Sequence, residues 1–273
     1  MSAARTIKLA LLVCDTPSDA IESQDYPELY RKLLASVFPA SPSLSFAMDS
    51  YDVAKMVYPP EESLDEGGYD GVLISGSGKS AYAPLPWIPP LLAFVSDLVS
   101  KHPAIKLFGV CFGHQIVARA LGGECVGNER GWELGVTDVA LTEIGKTIFE
   151  RETLRIQQVH SDHVPSVPPS CLLLGSTSTS PVQGMVRFTT PPTHDSSTFA
   201  HTDIHILTVQ GHPEFHASIV PKIIDYLGSV GAVDDDTADG GRKHAARDED
   251  GVTAFGGAVW RVLGVGSSRL ATC

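Results

Sequence analysis

The sequence predicts an α/β protein: an open, mostly parallel twisted sheet with helices on both faces, plus a smaller antiparallel sheet. Three observations predict it. Apolar runs of strand length alternate with segments of helical periodicity from residue 7 to residue 121, the pattern of a sheet built from crossover units. The first run, 7–13, is apolar without alternation, as a strand covered on both faces requires. Beyond residue 123 the texture changes to short apolar runs with little room for helices between them.

Taken in order, 7–13 is the first strand. Residues 26–38 have helical spacing, with Leu29, Leu33, Leu34 and Val37 on one side. Residues 44–48 read as the second strand and 71–74 as the third. The segment 87–99 is a helix with apolar residues recurring at three and four. The fourth strand, 105–110, runs into Cys111, and an amphipathic segment at 116–121 follows at once. Short strands are expected at 134–141, 154–159, 171–174, 184–188 and 204–209, adding antiparallel or mixed pairing around the site. Residues 189–203, rich in Pro, Ser, Thr and His, read as a long loop able to cover a pocket or reach a partner. Helix returns at 217–227. The chain reads as one domain over 1–273 with its core at about 7–230, an acidic and Gly-rich mobile segment at 231–250, and a closing helix at 251–265. No internal repeat is visible.

Composition narrows the function classes. A net charge of −12 argues against a nucleic-acid surface, which needs a basic patch. No apolar run approaches the roughly 20 residues that span a bilayer, and the first residues lack signal-peptide form. The five cysteines are odd in number and widely spaced, which suits neither a disulfide framework nor a zinc site. A reducing, cytoplasmic compartment is expected.

Three segments carry chemistry. Gly109-Val110-Cys111-Phe112-Gly113-His114-Gln115 places a thiol at a sharp strand-to-helix corner. There the unpaired N–H groups and positive dipole end of a helix favour thiolate over thiol. The alternative reading, a small core residue, suits Cys14, Cys125 and Cys171, and Cys273 reads as a terminal bystander. Gln210-Gly211-His212-Pro213-Glu214-Phe215 follows a strand and offers a base with a carboxylate to orient it. In extended chain His212 and Glu214 project to the same side. Ile74-Ser75-Gly76-Ser77-Gly78-Lys79-Ser80 also follows a strand, and its small residues allow backbone N–H donors to approach an oxyanion. It lacks the spacing of a phosphate-binding loop. The pairs His201/His205 and His212/His216 have metal-ligand spacing, but nothing places either on a helix facing further ligands. Asp234-Asp235-Asp236 reads as a solvated run. Arg119, Arg130 and Trp132 are open between substrate contact and structural duty.

Together these segments resemble the class I glutamine amidotransferase (Triad) family, in a stand-alone form similar to the GMP-synthetase amidotransferase domain. The elbow pattern G-x-C-x-G-x-Q is matched at 109–115 and H-P-E at 212–214, with all motifs in order from about 7 to 227. Gly131-Trp132-Glu133-Leu134-Gly135 and His160-Ser161-Asp162-His163 add to the likeness. The resemblance implies a flavodoxin-like amidotransferase fold and γ-glutamyl amide chemistry without cofactor or metal. Cys111 would form a thioester, His212 would shuttle the proton, and Glu214 would orient His212. N–H groups around Gly76 and Ser77, with that of Phe112, would bind the oxyanion. Gln115 would sit by the substrate's α-amino acid end, and His160 with Asp162 would either shape the pocket rim or serve as structural turn residues.

The leading expectation is hydrolysis or transfer at a γ-glutamyl bond of glutamine or of a glutathione-type conjugate. The alternatives are a glutaminase subunit that supplies ammonia to a separate synthetase, and a silent regulatory relative. The intact Cys111, His212 and Glu214 speak against the last. Ser-Gly-Ser-Gly at 75–78 departs from the family's commoner Gly-Gly-Pro and adds backbone freedom to the oxyanion turn.

Overall fold

The computed structural model describes residues 5–15, 25–190, 198–266 and 271–272. The first half contains β1 (Arg5–Val13), α1 (Tyr26–Ser36), β2 (Leu44–Asp52), α2 (Glu61–Asp65), β3 (Gly71–Ile74), α3 (Ile88–Lys101), β4 (Lys106–Val110) and α4 (Phe112–Ala120). Then come β5 (Val126–Gly127), β6 (Glu133–Leu141), α5 (Glu143–Phe149), β7 (Thr153–His160), β8 (Asp162–His163), β9 (Leu172–Ser176) and β10 (Gly184–Phe188). The last elements are β11 (Thr198–Phe199), β12 (Ile204–Val209), α6 (Val220–Ser229), α7 (Asp235–Ala245), α8 (Gly257–Val262) and β13 (Ala271–Thr272).

Nine strands form one sheet in the order β2-β1-β3-β4-β12-β10-β9-β6-β7. The run from β2 to β12 is parallel, and β10, β9, β6 and β7 extend it with antiparallel pairing. The antiparallel strands expected beside the parallel sheet therefore mostly continue it. β12 is the joint: one edge takes parallel bonds from β4 and the other takes the returning β10. Two small antiparallel pairs, β5 with β8 and β11 with β13, stand apart.

Both faces are covered, as the unbroken apolar run of β1 requires. On one face α1, α6 and α8 bury Tyr30, Leu34, Ile224 and Trp260. On the other α3 and α4 bury Leu91, Val95, Phe112 and Ile116. Each fully buried large apolar side chain contributes about 1.5–3 kcal/mol relative to exposure.

Within 231–250, where the sequence reading assigned no element, the chain forms α7. Asp234 caps it by accepting the N–H of Thr237 at 2.7 Å, with Asp235 and Asp236 in the first turn and Arg242, Lys243 and His244 in the last. Those charges match the helix dipole. Glycine lowers helix propensity, but here it permits the packing. A methyl group on Gly241 would lie 2.7 Å from Leu134 Cβ, and one on Gly135 would lie 2.6 Å from the backbone of α7. A π-helical turn over Val252–Gly256 leads into α8, where the closing helix was expected. Of the expected loop at 189–203, residues 191–197 lie outside the described residues, while β11 and a short 3₁₀ turn occupy part of the rest. Helix α5 fits between strands that left little room for one in the sequence.

Candidate active site

Strand register builds the site. Ile74 of β3 lies opposite Gly109 of β4, and Val110 of β4 lies opposite Val209 of β12. The residues that follow these strands emerge side by side at the carboxyl edge, where open α/β sheets hold their ligands. They are Cys111, the turn from Ser75 to Gly78, and Gln210 to Glu214.

Cys111 caps the N-terminus of α4 at φ 50° and ψ −105°. Such a backbone costs about 1–3 kcal/mol for a non-glycine residue and persists only where its surroundings over-determine it. Here its N–H donates to Val209 O at 2.9 Å, and the two motif glycines let α4 press against the strands. A methyl group on Gly113 would lie 2.3 Å from Ile74 O, and one on Gly109 would lie 2.8 Å from Gly113 O.

His212 is buried and gripped on three sides. Nδ1 lies 2.8 Å from Glu214 Oε1, the backbone N–H donates to Gln157 O at 2.8 Å, and Phe215 stacks on the ring at 4.3 Å with a 6° interplanar angle. The ring and Cys111 both border Gly76: a methyl group there would lie 2.8 Å from His212 Cε1 and 3.8 Å from Cys111 Cβ. With Nδ1 committed to Glu214, Nε2 is the nitrogen left for the sulfur. Burial by itself would push this imidazole down, but its neighbours Cys111 and Glu214 outweigh it and raise its pKa to about 10. The stabilisation from the protonated ring is therefore full below about 6.5 and is lost as pH rises towards about 10.

The Gly-rich turn is held by nearly every polar group it has. Ser75 Oγ donates to Gly76 O at 2.8 Å and accepts from Cys14 N–H at 3.0 Å. Gly113 N–H donates to Ser75 O at 3.2 Å. Asp15 accepts from Gly78 N–H at 2.7 Å and from Ser77 Oγ at 3.2 Å. Gly76 N–H donates to Tyr30 Oη at 3.3 Å. That bond corrects the expectation that Gly76 offers its N–H to a ligand: tertiary structure has already engaged it. The N–H of Ser77 has no acceptor among the described residues, and Phe112, first residue of α4, carries one of the orphan N–H groups of a helix start.

Gln115 Nε2 donates to Asp162 O at 3.2 Å and to Gln210 Oε1 at 3.3 Å. Because a carbonyl only accepts, this orients both amides, and Gln210 Nε2 faces Cys111 Sγ at 3.5 Å as a donor. Gln115 thus borders the cleft with its amide tied to protein groups. His160 is buried, with Nδ1 2.9 Å from Asp162 O and Nε2 3.1 Å from Glu133 Oε2, at an angle too poor for a hydrogen bond. Arg119 and Arg130 donate to the carbonyls of Ala81 and Ser178. Trp132 donates to Ala232 O at 3.0 Å.

Cys111 and His212 lie in a cleft of about 590 Å³. Its lining combines polar residues (Asp15, Ser77, Lys79, Gln115, Asp162) with apolar ones (Trp132, Ile223, Tyr226, Leu227, Val230). Cys14, Cys111, Cys125 and Cys171 are unpaired thiols. Burial pushes Cys14 far up, Cys125 to about 12 and Cys171 to about 11. Among the described residues no group of three or more His, Cys, Asp or Glu side chains is arranged to hold a metal ion.

Sequence reasoning singled out Cys111, His212, Glu214 and the 75–78 turn, and the fold brings them together. It missed Tyr30, Asp15 and the role of Gln210. Gln210 sits in the quoted motif, which was a usable signal; a tyrosine at an apolar helix position gives none.

Comparisons with known proteins show what the chain as a whole is similar to. The family model of the class-I glutamine amidotransferases matches residues 45–224. A glutamine amidotransferase-like protein of Schizosaccharomyces pombe is 36% identical over 80% of this chain and 84% of its own. Gamma-glutamyl peptidase 4 of Arabidopsis thaliana is 29% identical over 68% of each chain. A glutamine amidotransferase from Thermotoga maritima superposes with a TM-score of 0.64 at 18% identity, covering 93% of this chain and 98% of that one.

Proposed function

The chain belongs to the class I glutamine amidotransferase family, and we propose that it cleaves γ-glutamyl amides through a thioester on Cys111. The observation that carries the reading is the buried relay from Cys111 through His212 to Glu214, set at a strained strand–helix corner on the floor of a cleft.

Cys111 Sγ attacks the γ-carbonyl carbon, and the carbonyl π-electrons move to oxygen. Ser77 N–H and Phe112 N–H stabilise that oxyanion; each such donor is worth about 10²–10³ in rate. As the C–N bond breaks, protonated His212 gives its Nε2 proton to the leaving amine. The neutral ring then takes a proton from water, whose oxygen attacks the thioester carbon; the C–S bond breaks, its electron pair returns to Cys111 Sγ, and glutamate is freed. Glu214 keeps Nδ1–H of His212 pointed at itself and stabilises the imidazolium. No step needs a metal or cofactor.

The apolar residues in the cleft lining favour an amine leaving group larger than ammonia, as in a γ-glutamyl peptide or conjugate. Ammonia has no use for Trp132, Tyr226 and Val230, and a side chain or conjugate group does. The relatives named as gamma-glutamyl peptidases support the same direction. A reducing, cytoplasmic setting suits a working thiol. The test is a purified-protein assay comparing ammonia release from glutamine with amine release from glutathione and apolar γ-glutamyl conjugates, with the thioester followed by mass. The expected result is a kcat/KM at least tenfold higher for conjugates. Glutaminase activity that appears only when cell extract is added would instead identify a subunit feeding ammonia to a separate synthetase.

Glu214→Gln is an informative variant. Its Oε1 still accepts from both donors, so the change removes charge while sparing most of the geometry. The expected outcome is a kcat roughly 10²-fold lower with KM within about threefold. Without the carboxylate charge the imidazolium is less favoured, so the alkaline limb of the pH–rate profile moves to lower pH. Equal losses in binding and turnover would contradict an orienting role.

A further inference from the structure

Glu214 is held through one oxygen. Its Oε1 receives both His212 Nδ1–H, at 2.8 Å, and the hydroxyl of Tyr30, at 3.1 Å. Its Oε2 is buried without a hydrogen-bond partner. Removing the Tyr30 donor would leave the carboxylate attached by His212 alone and free to turn about its last bond. Tyr30 itself has no freedom: it is fully buried on α1, stacked against Tyr26 at 6.4 Å, and it accepts Gly76 N–H at 3.3 Å. One hydroxyl therefore joins the carboxylate that orients the base to the turn beside the nucleophile.

We propose that Tyr30 is a positioning residue that fixes Glu214 against His212 and anchors the Gly76 turn, so that His212 and Ser77 N–H face the sulfur together. The geometry needs a hydroxyl that stays a donor. Burial first, and the Glu214 charge second, hold Tyr30 well above the ordinary tyrosine range, so it keeps its proton wherever the enzyme works. The turn gains a matching restraint. With Gly76 N–H drawn to Tyr30, that peptide cannot rotate towards the ligand, and the next N–H in the turn becomes the available donor. The inference rests on the triad reading above, and its test separates the two.

The experiment compares wild-type protein and Tyr30→Phe in two assays. Iodoacetamide alkylation of Cys111, followed by peptide mass at pH 7, reads the reactivity of the sulfur beside His212 without any substrate. Turnover of a γ-glutamyl amide reads the whole site. Tyr30→Phe is expected to alkylate at least threefold more slowly and to lose at least tenfold in kcat, with KM within twofold. A folded variant that matches wild type in either rate overturns the proposal, because a merely structural tyrosine would leave both unchanged. A wild-type Cys111 no more reactive than Cys125 would remove the triad and the role of Tyr30 with it; a reactive Cys111 indifferent to Tyr30→Phe removes only the latter. If the phenylalanine variant does not fold, 3-fluorotyrosine at position 30 keeps the shape while strengthening the donor. A change of twofold or more in kcat supports the proposal, and an unchanged kcat overturns it.

Discussion

Cys111→Ser should lower γ-glutamyl hydrolysis by roughly 10⁴-fold or more while the protein remains folded. The substitution is nearly isosteric, and the hydroxyl stands where the thiol stood. What fails is activation. His212 sits at about pKa 10 because Cys111 and Glu214 flank it, so near neutrality it is an imidazolium. It is then poorly suited to deprotonate a serine hydroxyl, whose acidity is far below that of a thiol. The unusual corner, φ 50° at position 111, is set by the backbone bond to Val209 and by the glycines on either side, none of which the substitution touches. Stability should therefore change by about 1 kcal/mol or less. Thermal melting, turnover and a mass search for the acyl-enzyme check the three parts. Serine protein that still turns over within tenfold of wild type would show that Cys111 is not the nucleophile.

Gly76→Ala should cost roughly 10²–10³ in kcat for a different reason. A methyl group there would lie 2.8 Å from His212 Cε1 and 3.8 Å from Cys111 Cβ. The ring cannot yield easily, since Glu214 and Phe215 hold it, so the turn must move. Moving it carries Ser77 N–H away from the oxyanion position, and a misplacement of about 1 Å costs on the order of 10²-fold. Gly76 has no positive φ, so alanine suits the backbone and the loss isolates contact at the site from folding. Gly113→Ala is the contrast. There a methyl group would meet the backbone oxygen of Ile74 at 2.3 Å, an atom the strand holds in place, and the expected result is a loss of fold stability of about 3 kcal/mol or more. Melting and kinetics of the two variants side by side distinguish the effects. A fully active Gly76→Ala protein would show that the turn does not border the reacting atoms.

Parts of this molecule were legible because the relevant physics is local. A continuous apolar run at 7–13 means a strand covered on both faces, whatever lies elsewhere in the chain. A cysteine between Gly109 and Gly113 at the end of another run means a tight corner. His212 and Glu214 are two residues apart, so their meeting needs only an extended backbone. α7 was not assigned because its composition argues locally against helix, while the decisive interactions are the contacts of Gly241 with Leu134 and of Gly135 with α7, across more than a hundred residues of sequence.

Tyr30 marks the limit most clearly. At helical spacing it is one more apolar-face residue beside Leu29 and Leu33, and its hydroxyl finds Glu214 across 184 residues of sequence. Gly76 was named for its backbone freedom, but only packing decided that its N–H is spent on Tyr30 while that of Ser77 has no acceptor among the described residues. The sequence by itself determined which side chains can react and where strands end, because thiol, imidazole and carboxylate chemistry and turn geometry are properties of short segments. The tertiary structure alone decided how those groups are aimed. Hydrogen-bond direction is set by partners that strand register and helix packing bring together from distant parts of the chain.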